Sequence, residues 1–302
     1  MLPLQFGYDA RRHERVYERI RLDPSYARHL QRAVIVFADL RNSTQLIKEL
    51  RPLLFRALVE KLFRVFRDCV LSQGGVVEKF LGDGGLALFV PRSTVPGDDE
   101  SPGRGGPAVR ASRAVAETIR EFERLIAPGG WFEGEHGTRR PAPAIALGAS
   151  IVCESCVLGC FGPLHDRNGR LLPLQYACIG EAPSLAQRVC EHARIEKLTE
   201  LSERATDALV GRPGLDLSRS LGEEAVKDYL RQWGHLRDSR SVVLADMSVM
   251  GDERMKRTIE REFAAVQLPF AMSTPPFHER KLWALADKPR ALDRATSRRP
   301  RG

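Results

Sequence analysis

The sequence predicts an α+β fold, a mixed antiparallel sheet with helices packed on it. Three observations carry that reading. Short β-branched apolar runs recur along the chain, and segments with apolar residues every three or four positions separate them. One pair of runs closes around Gly82-Asp83-Gly84-Gly85, a hairpin whose turn needs the positive φ that glycine supplies.

The elements come in order along the chain. Tyr8 to Gln31 alternates charge with Val16, Ile20, Leu22, Tyr26 and Leu30, which predicts one or two short helices broken at Pro24. AVIVFADL, Ala33 to Leu40, is a buried strand that delivers Asp39 to a site at its end. From Thr44 the apolar positions Leu46, Ile47, Leu50, Leu54, Leu58, Leu62, Phe66 and Val70 mark a helix with a break at Pro52. The hairpin from Gly74 to Val90 comes next, and Pro91 to Pro107 is a loop by composition. Val115, Ile119, Phe122 and Ile126 share one face of a helix over 108–126.

AIALGASI and CVLGCF read as two further strands, followed by a polar excursion, PLHDRNGRLLP, and the strand LQYACIG. A helix from Ala182 to Arg194 carries Pro183 in its first turn. KLTELS, another helix and SVVLADM close the pattern near residue 247. The order βααβ, αββ, βαβ gives one core over 32–248. An N-terminal helical extension over 1–31 and a C-terminal extension with a basic tail over 249–302 flank it.

A chain of 302 residues, 43% hydrophobic, can bury one sizeable core with extensions or two small domains. No run approaches the ~18 apolar residues of a membrane helix, and MLPLQFGYDARRHER lacks the apolar stretch of a signal peptide. No membrane partner is expected, and the cytoplasm is the expected location. Six cysteines in a reducing compartment predict free thiols. Cys153, Cys156 and Cys160 form C-x2-C-x3-C, but no fourth ligand lies nearby and the residues between are strand-like, so buried thiols are favoured over a metal site. The net charge is +8, and residues 277–302 hold eight Lys/Arg against three acids. That tail reads as a solvated end rather than a nucleic-acid arm, so a nucleic-acid partner is not expected.

Three segments, in order, resemble class III nucleotidyl cyclases, the superfamily of adenylate and guanylate cyclases. VFADLRNST (36–44) is similar to the family's strand ending in its first metal-binding Asp, and GGVVEKFLGDGGLALF (74–89) to the hairpin that carries the second. QYACIGEAPSLAQRV (175–189) is similar to the strand, turn and helix that carry transition-state groups, and IEKLTELSERATDAL to the family's next segment. The resemblance implies a ferredoxin-like palm and two divalent ions, Mn2+ or Mg2+, held by Asp39, Asp83 and the Leu40 carbonyl. It also implies a phosphate cradle at Arg41, Asn42, Ser43 and Thr44. The chemistry agrees, since ring closure needs an activated 3′-hydroxyl, an in-line α-phosphorus and a neutralised pyrophosphate, and hard cations take oxygen ligands. Taken singly, Asp39 would read as a turn cap and Asp83 as a D-G turn residue.

Ser184 and Arg188 are four apart and project from one helix face. The family pairs Asn with Arg there, for the ribose and the phosphates, so Arg188 matches while Ser184 departs and reaches less far. A surface ion pair of Arg188 with Glu191 or Glu181 is the plain alternative. The resemblance further implies a head-to-tail homodimer with shared sites, Asp39 and Asp83 from one chain and Lys79, Ser184 and Arg188 from the other.

Base choice in the family rests on the positions of Lys79 and Ala177. Lys79 only donates, and Ala177 offers no side-chain hydrogen bond. Adenine and cytosine would leave an amino group unpaired, guanine would meet a cation, and uracil presents carbonyl acceptors, so UTP fits best. In this the chain is similar to the uridylate cyclases of Pycsar antiphage systems, which implies cyclic UMP as a second messenger read by a separate effector. An adenylate cyclase is the alternative enzyme. A non-catalytic cyclase fold is the alternative of another class, and retention of Asp39, Asp83 and Arg188 speaks against it.

Overall fold

The structure, a computed structural model, describes residues 28–90, 106–127, 130–131, 145–161, 168, 175–194, 241–251, 253–271 and 280–287. The predicted helices over 8–27, the loop after Pro91, nearly all of the polar excursion after Phe161 and the segment 195–240 lie outside them. So do residues 288–302.

Eight strands form one sheet, β1 (Arg28–Leu40), β2 (Val76–Leu81), β3 (Gly84–Phe89), β4 (Leu147–Phe161), β5 (Gln175–Ile179), β6 (Val242–Asp246), β7 (Phe263–Ala271) and β8 (Lys281–Asp287). Their order is β2-β3-β1-β4-β6-β8-β7, with β5 on β4. The β4–β6 pair is parallel and the other pairs are antiparallel. The helices are α1 (Ser43–Glu49), α2 (Pro52–Ser72), α3 (Pro107–Ile126), α4 (Glu181–His192), α5 (Met247–Met250) and α6 (Glu253–Glu262). The α+β prediction holds.

Alternation along β1 sorts the core into two layers. Ala33, Ile35 and Phe37 pack under α4 with Leu185, Ala186 and Val189. Val34, Val36 and Ala38 face the opposite side with Phe66 of α2 and Val115 of α3. A third cluster, Leu40, Leu46, Leu58, Phe122 and Leu147, closes the end of the sheet where Asp39 emerges. The predicted break at Pro52 is real, because Pro52 begins α2 at a position where its missing N–H costs nothing.

Three sequence expectations need correction. Residues 28–31 belong to β1 rather than to a helical extension, since β1 pairs with β4 from Arg28↔Gly159 to Leu40↔Leu147. The LGASI part of the first run and all of CVLGCF lie on one 15-residue strand. Its continuity puts Cys153 in one layer and Cys156 in the other, so these two thiols cannot share a metal ion. Nor does the core end at 248. β8 lies between β6 and β7, its Leu282, Ala284 and Leu285 are buried, and Arg280 beside it bonds Glu154 (2.6 Å) and Asp246 (3.0 Å). The cations of 280–287 therefore include partners of the sheet, and the charge count alone could not separate them from a solvated end.

Candidate active site

Asp39 continues the face of Ile35 and Phe37 at the C-terminal end of β1, opposite Gly84 of β3 and Gly148 of β4. Asp83 occupies the β2–β3 turn, just after Gly82 with φ 61°. Gly84 lets the turn close on β1. A Cβ there would stand 2.9 Å from the Ala38 carbonyl oxygen and 3.1 Å from Asp39 Oδ1. The far end of the hairpin is fastened by buried Arg110, which donates to the carbonyls of Gln73 (3.1 Å), Gly74 (3.0 Å) and Val90 (2.7 Å).

The two carboxylates feel each other. Burial raises the Asp39 pKa above its ordinary 3.8, and the Asp83 charge raises it further, while Arg41, Arg194 and the Leu40 amide lower it. Asp83 Oδ2 is buried with no hydrogen-bond partner. A pair of close carboxylates with an unbonded buried oxygen suits a hard cation, which would neutralise the repulsion and satisfy the orphan. Among the described residues no three His, Cys, Asp or Glu side chains gather into a metal-sized group, and the candidate donors here are the two carboxylates. That is how Mg2+ is commonly held when substrate phosphates and water complete its shell.

The predicted cradle divides. The Arg41 amide donates to the Ala146 carbonyl (2.8 Å), and its guanidinium is turned inward to the Cys190 carbonyl (2.6 Å), so these donors are engaged within the fold. Asn42, left-handed at φ 57°, caps α1 through its carbonyl, which accepts from Gln45 and Leu46. Asn42 and Thr44 are exposed and Ser43 is half-buried at the opening of α1, next to Asp39.

Ser184 and Arg188 do share the exposed face of α4, opposite buried Leu185 and Val189. Arg188 lies 3.8 Å from Glu191, with both side chains about half exposed, a contact of small energetic consequence. The described cations that act on Asp39 include Arg41 and Arg194.

Lys79 follows a bulge, where the β2–β3 register shifts between Val77 and Lys79 and Glu78 becomes the extra residue. The bulge turns the Glu78 side chain fully inward, with its Oε1 3.2 Å from Lys79 Nζ. Burial raises the Glu78 pKa against the opposing pull of Lys79 and the Cys178 amide. Both Glu78 and Lys79 act on Cys178 of β5, the neighbour of half-buried Ala177, so β2 and β5 bring the two predicted base-reading positions into one neighbourhood. The sequence reading missed the inward turn of Arg41, the burial of Glu78 and the presence of Arg194 near Asp39. Of these only Glu78 left a signal, an acid inside an apolar hairpin strand.

No family model matches the chain. It is 27% identical over 160 residues to an uncharacterized protein of Mycobacterium tuberculosis, covering 53% of this chain and 24% of that protein. A second uncharacterized protein of the same species is 25% identical over 210 residues, covering 63% and 31%. The chain thus spans about a quarter to a third of the length of these curated relatives. Among solved structures, the adenylyl cyclase CyaB from P. aeruginosa superposes with a TM-score of 0.54 at 14% identity, covering 88% of this chain and 98% of that one. The guanylyl cyclase Cya2 gives 0.50 at 15% identity with coverages of 88% and 98%. A bacterial light-regulated adenylyl cyclase gives 0.51 at 16%, covering 92% of this chain and 62% of that one. At these identities the likeness shows the fold alone, and the fold is one that these adenylyl and guanylyl cyclases share.

Proposed function

We propose that the chain is a nucleotidyl cyclase that closes a nucleoside triphosphate, UTP by preference, into its 3′,5′-cyclic monophosphate with release of pyrophosphate. The observation that carries the reading is the convergence of Asp39 and Asp83, which leaves a buried Asp83 oxygen unbonded. These carboxylates and the Leu40 carbonyl are the groups that would hold two divalent ions, Mg2+ or Mn2+. Bound there, the ions supply the charge that activates the 3′-hydroxyl and neutralises the leaving pyrophosphate.

The chain's own residues divide the remaining work. The amides that open α1 at Asn42, Ser43 and Thr44 favour an anion beside Asp39. Arg188 neutralises charge that develops on the phosphates, and Ser184 hydrogen-bonds the ribose. Lys79, steadied by Glu78, donates to a uracil carbonyl, while Ala177 asks nothing of the base. Because Ser184 and Arg188 lie on the exposed face of α4, we read the site as shared between two chains of a head-to-tail homodimer. Cyclic UMP then serves as a second messenger in antiphage defence, made in the cytoplasm and read by a separate effector. No helix among the described residues is long and apolar enough to cross a membrane.

One observation favours ATP as the alternative substrate. The Glu78 carboxyl beside Lys79 is an acceptor for an amino group, although its side chain is fully buried. The test is to incubate the protein with Mn2+, and separately with Mg2+, and each nucleoside triphosphate in turn, and to identify products by mass. Cyclic product from UTP is expected, and a chain that cyclises none of the four contradicts the proposal.

A further inference from the structure

Arg41 is a buried cation, 5% exposed, at the edge of the carboxylate pair. Its Nη2 donates to the Cys190 carbonyl at 2.6 Å and meets Cys190 Sγ at 2.9 Å, while Nη1 stands 3.6 Å from Asp39 Oδ2. The Cys190 carbonyl belongs to the last turn of α4, the end of a helix where a cation is favoured. The Cys190 thiol, pushed up to about 12 chiefly by burial, stays neutral and lies 3.3 Å from the Gly148 carbonyl oxygen. Gly148 opens the passage, since a Cβ at that position would overlap the guanidinium. The fit has a cost, because Arg41 Nε is buried with no partner.

We propose that Arg41 is the positioning residue of the carboxylate pair: anchored to the C-terminal turn of α4, it holds Asp39 in the orientation that faces Asp83. A planar guanidinium fixed at one end offers its remaining N–H edge in one direction, which a flexible ammonium cannot do. Charge alone does not decide the placement, for a positive group helps keep buried Asp39 ionised yet repels the ion that the carboxylate receives. Orientation supplies the reason. Groups that orient a metal ligand commonly change metal affinity about 10- to 100-fold when removed. The inference rests on the cyclase reading, because it needs Asp39 to bind a cation.

The experiment is a titration of the full chain with Mn2+ alone, followed by electron paramagnetic resonance, for wild type, Arg41→Met, Arg41→Lys and Gly148→Ala. Circular dichroism and thermal unfolding of each variant establish that it is folded. Arg41→Met and Gly148→Ala are expected to weaken Mn2+ binding about tenfold or more, with Arg41→Lys recovering part of the loss at most. A purely electrostatic role gives the opposite pattern, tighter binding in Arg41→Met and wild-type binding in Arg41→Lys and Gly148→Ala. Equal or tighter binding by folded Arg41→Met or Gly148→Ala overturns the inference and leaves the cyclase reading standing. If Arg41→Met does not fold, Gly148→Ala and Arg41→Lys decide the question by the same comparison. Wild-type protein that binds no Mn2+ overturns the metal-dependent reading and this inference with it.

Discussion

Asp39 lies against the backbone of Gly84, so close that a methyl group there would stand 3.1 Å from Asp39 Oδ1. The same methyl would press the Ala38 carbonyl oxygen at 2.9 Å, and backbone yields less readily than a side chain. Gly84→Ala is therefore expected to lower kcat roughly 10- to 100-fold by shifting the carboxylate, while leaving a cooperatively folded protein. Wild-type turnover in a folded Gly84→Ala protein would show that the close approach has no catalytic meaning.

The raised Asp39 pKa makes a stability prediction with a definite sign. Its folded pKa lies above the unfolded value near 3.8, chiefly through burial and then through Asp83, so the folded chain holds the proton more tightly. Stability without metal falls as pH rises through that window and stays reduced above it. Asp39→Asn removes the cost, so the metal-free variant should melt higher than wild type at pH 7, with the difference fading as pH approaches 3.8. Saturating Mn2+ should reverse the order by stabilising wild type alone. Differential scanning calorimetry across pH checks both halves, and a metal-free Asp39→Asn protein that melts lower at pH 7 would count against them.

Removal of residues 277–302 takes away β8, which lies between β6 and β7. It also takes Arg280 from Glu154 and buried Asp246, where an abandoned carboxylate is costly. That truncation is expected to abolish cooperative unfolding and activity together. A folded, active 1–276 protein would mean that β8 is dispensable.

Much of the fold was legible because local pattern and tertiary role agree. The β-branched run ending at Asp39, the Gly82–Gly85 turn, the three-to-four spacing of α2 and α3 and the Pro183 start of α4 each point to the element that forms. β8 was not legible, since KLWALAD mixes charge at its ends with a short apolar centre and lies in a basic stretch, and its place is set by partners distant in sequence. Asp39 and Asp83 were readable as a pair only through the resemblance of their two segments to the cyclase family, since singly each reads as a turn residue. The inward turn of Arg41, which the resemblance placed in a phosphate cradle, was not legible, because it depends on the absent side chain of Gly148, a residue distant in sequence.

A shared site predicts complementation. Asp39→Asn and Arg188→Ala should each be inactive alone, and a mixture should regain about a quarter of wild-type activity, because half of the dimers are mixed and each mixed dimer has one intact site of two. Activity measured after demonstrated subunit exchange checks this. No recovery would place both residues in a site made by one chain.

Cyclisation of UTP at the Asp39–Asp83 pair is decided by one competition measurement. Equimolar ATP, GTP, CTP and UTP are incubated with Mn2+ and wild-type or Asp83→Asn protein, and products are separated and weighed by mass spectrometry. An unpaired amino group or a misplaced donor costs ~1–3 kcal/mol, roughly 5- to 150-fold in rate, so cyclic UMP should dominate by about that margin. Asp83→Asn should make no cyclic nucleotide, and Lys79→Ala should erode the preference for UTP. Dominant cyclic AMP would contradict the uridylate assignment, and no cyclic nucleotide from wild type, or equal yields from Asp83→Asn, would contradict the cyclase itself.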